Sequence, residues 1–309
     1  MSGGAASGRT VIAALAAVAV AMFLAGYLAS SFASPSISQT NVKTVTTTVV
    51  ETAGLNARLN VAGSTTVAPI VEEAARRFSE LHPGFRISVA AIGSGPGIKA
   101  VGSGEADIGM ASRDLKEEEF ERWPDLKPFR IAMDSIAIVV HPSNPVNELT
   151  LEQVAKIFAG EIRNWKEVGG PDKPIHVITR EKGSGTRDCF EHAVMKPFGK
   201  EVSAEAMVQQ GNPKVRAAVA NDPLAIGYIS LGFVDETVKP LKIDGVEPRI
   251  ENVLKGTYPI KRNLYVVTKG DPDPAELMFI GYLLSAEGQK IVAELGYISL
   301  YPVSGDEDR

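Results

Sequence analysis

Apolar residues recur at Val67, Ile70, Val71, Ala74, Ala75, Phe78 and Leu81, with Glu72, Glu73, Arg76, Arg77 and Glu80 on the other side. That spacing predicts a helix that lays one apolar stripe on a sheet. Leu59–Ala62 before it and Ile87–Ile92 after it predict strands, Asp107–Ala111 predicts a third, and a short helix is expected over Ile98–Val101. Pro128–Val140 is a longer β-branched run, and it ends where Pro142 and Pro145 interrupt regular structure. A first crossing between domains is placed there, at His141–Pro145. Leu149–Phe158 predicts a helix, Ile175–Thr179 and Ala225–Ile229 predict strands, and a helix carrying Phe190, Ala193 and Val194 lies between those two strands. Ile260–Thr268 reads as a strand that returns the chain, and Ala275–Leu295 as one helix with Leu277, Ile280, Leu284 and Ile291 apolar. Strands alternating with helices in this way define an α/β fold.

Two segments precede this pattern. Val11–Leu28 is 18 residues without a charge, longer than the usual signal core and close to the roughly 20 residues that a spanning helix needs. Residues 1–33 are therefore expected to be an N-terminal membrane anchor or signal segment. The anchor is preferred, with Ser31-Phe32-Ala33 as the alternative cleavage site, and Arg9 on the short side orients the rest of the chain outward. Residues 34–57, rich in Ser, Thr and Val, are expected to form a stalk.

Three Gly-, Ser- and Thr-rich stretches, Gly63-Ser64-Thr65-Thr66, Gly93-Ser94-Gly95-Pro96-Gly97 and Gly183-Ser184-Gly185-Thr186-Arg187, each follow a strand-like run and precede a helix-like one. A helix N-terminus presents unpaired N–H groups and partial positive charge, hydroxyls add donors, and glycine admits close approach. Together the three predict one oxyanion site, although Thr65 and Thr66 equally suit helix caps, and a surface salt bridge with Glu181 or Asp188 is the lesser alternative for Arg180. Two α/β halves that each supply such a loop imply a ligand cleft between them.

Composition narrows the chemistry. Of 309 residues 44% are hydrophobic and 22% charged, which suits two ordinary domains. The net charge is −5, and the first 57 residues hold two bases and one acid, so the remainder carries −6. Nucleic acid is thereby disfavoured as a partner, and an anion must be held by local dipoles, hydroxyls and one or two arginines. The single Cys189 excludes an internal disulfide and a thiolate metal cluster. Histidines at 82, 141, 176 and 192 include no i, i+4 pair for zinc. A Walker loop fails because Thr186-Arg187 follows Gly185 and Ile98-Lys99 follows Gly97; the Gly-x-Gly-x-x-Gly and Gly-x-Ser-x-Gly patterns are absent. Neutral donors with Arg180 and Arg187 suit binding a tetrahedral anion without attacking it, so no enzyme activity and no cofactor or metal is expected.

Gly63-Ser64-Thr65-Thr66 with Pro69, Gly93-Ser94-Gly95-Pro96-Gly97-Ile98, Asp107-Ile108-Gly109 with Ala111-Ser112-Arg113, and Arg180 with Gly183-Ser184-Gly185-Thr186 resemble the phosphate-binding subunits of ABC-type phosphate uptake systems. Leu149-Thr150 through Ile157-Phe158-Ala159-Gly160 and Ile162-Arg163-Asn164-Trp165 is equally similar, and the resemblance spans about Asn60 to Leu300. It implies a two-lobed, type II periplasmic-binding-protein-like fold with a mixed sheet in each lobe and the cleft between. The lobes would be residues 58–140 with the return segment 251–309, and residues 141–250. The implied anion contacts are Thr65, Thr66, Ser94, Ser112, Arg180, Ser184, Gly185 and Thr186. The implied partners are inorganic phosphate and the ABC permease with its cytoplasmic ATPase, at the outer face of the cytoplasmic membrane.

At Ser112 the chain departs from familiar phosphate-selective members, whose Asp accepts the proton of hydrogen phosphate. Serine accepts more weakly and can donate instead. Asp114 or Asp134 is proposed as a substitute acceptor. Other tetrahedral oxyanions (sulfate, molybdate, tungstate) are the alternative ligands, and a phosphatase or an anion-sensing surface protein the alternative classes.

Overall fold

The chain alternates strands and helices through the whole region that its computed structural model describes, residues 56–303. The expected anchor (1–33) and all but the end of the expected stalk (34–57) lie outside the described residues. Among the described residues no helix is long and apolar enough to cross a membrane.

The strands are β1 (Ala57–Gly63), β2 (Phe85–Ala91), β3 (Ile108–Ala111), β4 (Leu126–Val140), β5 (Glu148–Leu149), β6 (His176–Arg180), β7 (Met207–Gln209), β8 (Ala225–Ser230), β9 (Lys239–Pro240), β10 (Lys242–Ile243) and β11 (Lys261–Lys269). They pair in the order β2-β1-β3-β11-β4-β8-β6-β7, with β9 also on β4 and a separate β5–β10 pair. β1 is parallel to β2 and β3, β11 is antiparallel to β3 and β4, and β8 is antiparallel to β4 but parallel to β6. The sheet is therefore mixed.

β4 belongs to both ends of this sheet. Leu126–Ser135 pairs with β11, whereas Ile136–Val140 pairs with β8. The buried apolar residues divide accordingly. Val61, Ile70, Val71, Phe78, Ile131, Ala132, Leu264, Val266 and Phe279 form one cluster; Ile136, Ile138, Val140, Phe158, Trp165, Phe190, Tyr228 and Ile260 form another. Membership changes along β4 between Ala132 and Ile136 and along the return between Ile260 and Leu264. In that gap the buried Asp134 and Arg262 meet, with side-chain exposures of 1% and 2%.

The helix Ala68–Leu81 carries the predicted stripe up to Phe78: Ile70, Val71, Ala74, Ala75 and Phe78 are buried, each large side chain contributing about 1.5–3 kcal/mol, whereas Leu81 at its end is exposed. The structure differs from two expectations. The second loop is itself helical, because the helix starts at Ser94 rather than Ile98 and runs to Ser103. Pro96 sits in its first turn, where no N–H is needed. The expected single C-terminal helix is two, Pro274–Leu284 and Ala286–Glu294, since the Ser285 hydroxyl caps the second by accepting from Gly288 N. Leu277, one of the apolar residues of that stretch, is exposed. Among the described residues, three α-helices have no expected counterpart: Glu117–Arg122, Gly211–Ala220 and Ile250–Leu254.

Candidate anion-binding site

Each loop is shaped by its own residues. Gly63 has φ +147°, and a Cβ there would lie 2.2 Å from Met110 O, so only glycine fits. Ser64, not Thr65 or Thr66, serves the following helix: its Oγ accepts from the N–H groups of Thr66 (3.1 Å) and Val67 (3.4 Å). The threonine hydroxyls are thereby left for other partners. The second loop packs backbone to backbone on the first, since a Cβ on Gly97 would lie 2.3 Å from Gly63 Cα. In the third loop β6 ends at Arg180, and Ser184 Oγ accepts from Arg187 N (3.2 Å) to cap the helix that starts at Gly185. Tyr228 braces this end of β6: its hydroxyl accepts from Arg180 N (3.2 Å) and pairs with Thr179 Oγ1 (2.9 Å), and its ring stacks on Phe190 at 4.0 Å.

The loops meet. Thr66 Oγ1 and Thr186 Oγ1 are 3.2 Å apart, Arg180 Nη2 donates to Thr65 Oγ1 (3.1 Å), and Ser94 Oγ and Ser112 Oγ are 3.3 Å apart. Gly95 N donates to Gly183 O at 2.9 Å. Gly185 lies against the serine pair, because a Cβ on it would come 2.3 Å from Ser94 Oγ and 2.6 Å from Ser112 Oγ. Thr66, Ser94, Ser112, Arg180, Ser184 and Thr186 are all buried to within 2%. The Ser184 hydroxyl is committed to its cap and makes none of these cross-loop bonds.

Arg180 does pair with Glu181, through Nε (2.8 Å) and Nη2 (2.9 Å), but as a buried fork rather than a surface bridge. Burial pushes the Glu181 carboxyl up, yet the hydrogen bonds and charge of Arg180 outweigh it and hold it below the ordinary value of 4.5. Arg187 serves the frame: Nη1 donates to Arg180 O (2.8 Å) and Nε to Glu191 (2.7 Å).

Three further residues complete the site without having been singled out from the sequence. Asn212 Nδ2 donates to Thr66 Oγ1 (2.9 Å). Arg262 donates to Thr186 Oγ1 (2.8 Å) and Thr66 Oγ1 (3.3 Å) while Nε and Nη2 hold Asp134 Oδ2 at 2.9 and 2.6 Å. Tyr297 OH donates to Thr66 O (2.8 Å). Arg262 had a sequence signal: in β11 it falls in phase with the buried Leu264 and Val266, and Asp134 lies in an apolar run that had to be covered on both faces. Of the two proposed substitute acceptors, Asp114 takes the Tyr265 hydroxyl (2.6 Å), whereas Asp134 Oδ1 is buried without a hydrogen-bond partner. A cavity of about 1020 Å³ beside the site is lined by Arg113, Asp114, Asp188, Cys189 and Arg262. Burial pushes the Cys189 thiol up to about 11, which keeps it protonated.

A two-ended mixed sheet with helix N-termini gathered onto one buried cluster of donors defines a solute-binding protein for an oxyanion. The model of the PBP superfamily domain matches residues 34–287. The phosphate-binding protein PstS of Bacillus subtilis (strain 168) is 36% identical over 242 residues, 78% of this chain and 80% of that protein. Among solved structures, a putative phosphate ABC transporter substrate-binding protein with bound phosphate from Clostridium perfringens is 41% identical (TM-score 0.76), covering 79% of this chain and all of the other. An ABC-type phosphate transport receptor from Vibrio cholerae is 36% identical (TM-score 0.67), with 79% of this chain and all of the other covered. The chain belongs to the PBP superfamily and, within it, to the family of PstS phosphate-binding proteins.

Proposed function

We propose that this protein is an extracytoplasmic solute-binding protein that captures inorganic phosphate between two lobes and delivers it to an ABC import permease with its cytoplasmic ATPase. The observation that carries this reading is the gathering of Thr65, Thr66, Ser94, Gly185 and Thr186 from the three loops, with Ser112 after β3 and Arg180 at the end of β6, into one buried donor cluster. Such a cluster stabilises an anion by oriented dipoles and one charge, and supplies no nucleophile with an adjacent base, which favours binding over turnover. The relatives with phosphate in their names support the choice of anion.

The contacts assigned to phosphate are the Thr65 hydroxyl, the Thr66 backbone, Ser94, Ser112, Arg180, Ser184, the Gly185 backbone and Thr186. The lobes expected from the sequence are residues 58–140 with 251–309, and residues 141–250; the packing of Ile136–Val140 and of Val253, Tyr258 and Ile260 with the second cluster supports moving both bounds to the gap around Asp134 and Arg262. The changeover between the two apolar clusters supports hinge strands near residues 132–136 and 260–264, about which the lobes open for exchange. Residues 1–33 hold the domain at the outer face of the membrane. Calorimetric titration with phosphate, then sulfate, tests the reading. Tight phosphate binding that sulfate does not displace is expected. Binding of sulfate in its place, which Ser112 does not oppose as a carboxylate would, would overturn the choice of anion.

A further inference from the structure

The hydroxyl protons of this site can be assigned by counting donors and acceptors. Asn212 fixes the start of the count. Its Oδ1 accepts from Arg180 Nη1 (3.3 Å) and from Ser230 N (3.2 Å), both of which can only donate, so Nδ2 is the atom that faces Thr66. Thr66 Oγ1 thus accepts from Asn212 Nδ2 at 2.9 Å and from Arg262 Nη2 at 3.3 Å. A hydroxyl has two lone pairs and one proton. With both lone pairs filled, the Thr66 proton goes to Thr186 Oγ1, 3.2 Å away.

Thr186 then stands in the same position. It accepts from Thr66 and from Arg262 Nη1 (2.8 Å), and its own proton is left for a bound anion. The guanidinium cannot turn away, because Asp134 Oδ2 takes both Nε and Nη2. Every member of this chain of groups is buried. The serine pair on the other side is different: Ser94 Oγ accepts from Ser112 N (3.1 Å), and either hydroxyl can donate across their 3.3 Å separation. That side can turn an oxygen toward a ligand proton.

We infer that the buried Asp134–Arg262 pair and Asn212 are positioning residues that lock Thr186 as an obligate donor, so the proton of bound hydrogen phosphate is turned away from Thr186 and the Ser94–Ser112 side offers it a hydroxyl able to accept. The inference rests on the phosphate reading above. Its consequence is selection for the dianion. A second proton, as on the monoanion, would confront a hydroxyl that can only donate. The charged groups around these hydroxyls are Arg180, Glu181, Arg262 and Asp134, and no histidine is among their partners.

Two measurements test it. In the parent, phosphate affinity should rise as pH passes the second ionisation of phosphate. In Thr66→Val, which frees one lone pair on Thr186 and keeps the Asp134–Arg262 pair, the preference for dianion over monoanion should fall about three- to tenfold, the worth of one hydrogen bond. Asp134→Asn/Arg262→Gln, which removes the charge pair together, should shift it in the same direction. A folded Thr66→Val protein with an unchanged preference would overturn the assignment. Neutron diffraction of the deuterated parent reads the same order without a variant. The Thr66 deuteron is expected on the line to Thr186, and a deuteron running from Thr186 to Thr66 would sink the proposal. A parent that binds no phosphate would overturn the functional reading instead, and the neutron map would still decide the direction of the threonine pair.

Discussion

Gly185 presses so closely on Ser94 that a Cβ at position 185 would lie 2.3 Å from the serine hydroxyl. The two residues belong to the second and third loops, and their contact makes the absence of a side chain at 185 a condition for the loops to meet. Gly185→Ala should leave each apolar core intact while opposing closure. Overpacking of this kind costs about 1–3 kcal/mol, so phosphate affinity should drop about five- to a hundredfold. Calorimetry beside a thermal melt separates the two effects; an unchanged affinity would refute this account of closure.

Glu181 gives the site an acid limit. Its folded-state pKa lies below the ordinary 4.5, burial being outweighed by Arg180. A group depressed in the folded state contributes stability that is complete above the unfolded value and is lost as pH falls through the folded one. Thermal stability should therefore decline below about pH 4.5. Glu181→Gln should flatten that part of the profile. Melting temperatures of both proteins from neutral pH down to the aggregation limit provide the check.

Asp188 ties the third loop to the segment that follows Ser112. Arg113 Nε reaches its Oδ2 at 2.7 Å and Lys116 Nζ at 3.4 Å, while Arg113 also forks onto Glu119. Asp188→Asn leaves Arg113 paired with Glu119, so folding should hold. Phosphate affinity should weaken about three- to tenfold, as for a partly exposed pair worth roughly 1 kcal/mol, with a reduced salt dependence. Small-angle scattering should show a larger open population at subsaturating phosphate. A Kd identical to the parent's at low salt would remove the latch from the closing energy.

Ser112 sets how strictly protonation is read. A carboxylate at this position only accepts, so it would meet a ligand proton well and repel a fully ionised oxygen. Ser112→Asp should lower sulfate affinity at least about tenfold relative to phosphate, the effect of one unpaired buried acceptor. Competition titrations with both anions measure the ratio; a ratio that stays at the parent's value would place discrimination elsewhere.

The α/β alternation, the helix Ala68–Leu81, the strands that feed the loops, and the loops themselves are all legible in the amino-acid order. These follow from local rules: apolar periodicity, Gly and Pro at chain reversals, hydroxyls at helix starts. The family could be read too, because Thr65, Ser94, Arg180 and Gly183–Thr186 stand in one recognisable order. Where local rules compete, they failed. Pro96 is compatible with a loop and with a first helical turn, and only the packing of Gly97 on Gly63 decided for the helix. Ser285 divides a stretch whose apolar content alone suggested one helix.

Which hydroxyl serves which partner emerges only once the chain is folded. Ser64 closes the turn before its helix and Ser184 caps the next, while Thr66 and Thr186 are freed to face each other across 120 positions of sequence. Asn212 and Arg262 entered the site from a helix and a strand whose local sequence contains no motif. The physical reason is that a buried polar group must find a partner wherever the fold brings one, and the pairing of Asp134 with Arg262 depends on the register of β4 against β11, which no spacing within either strand contains.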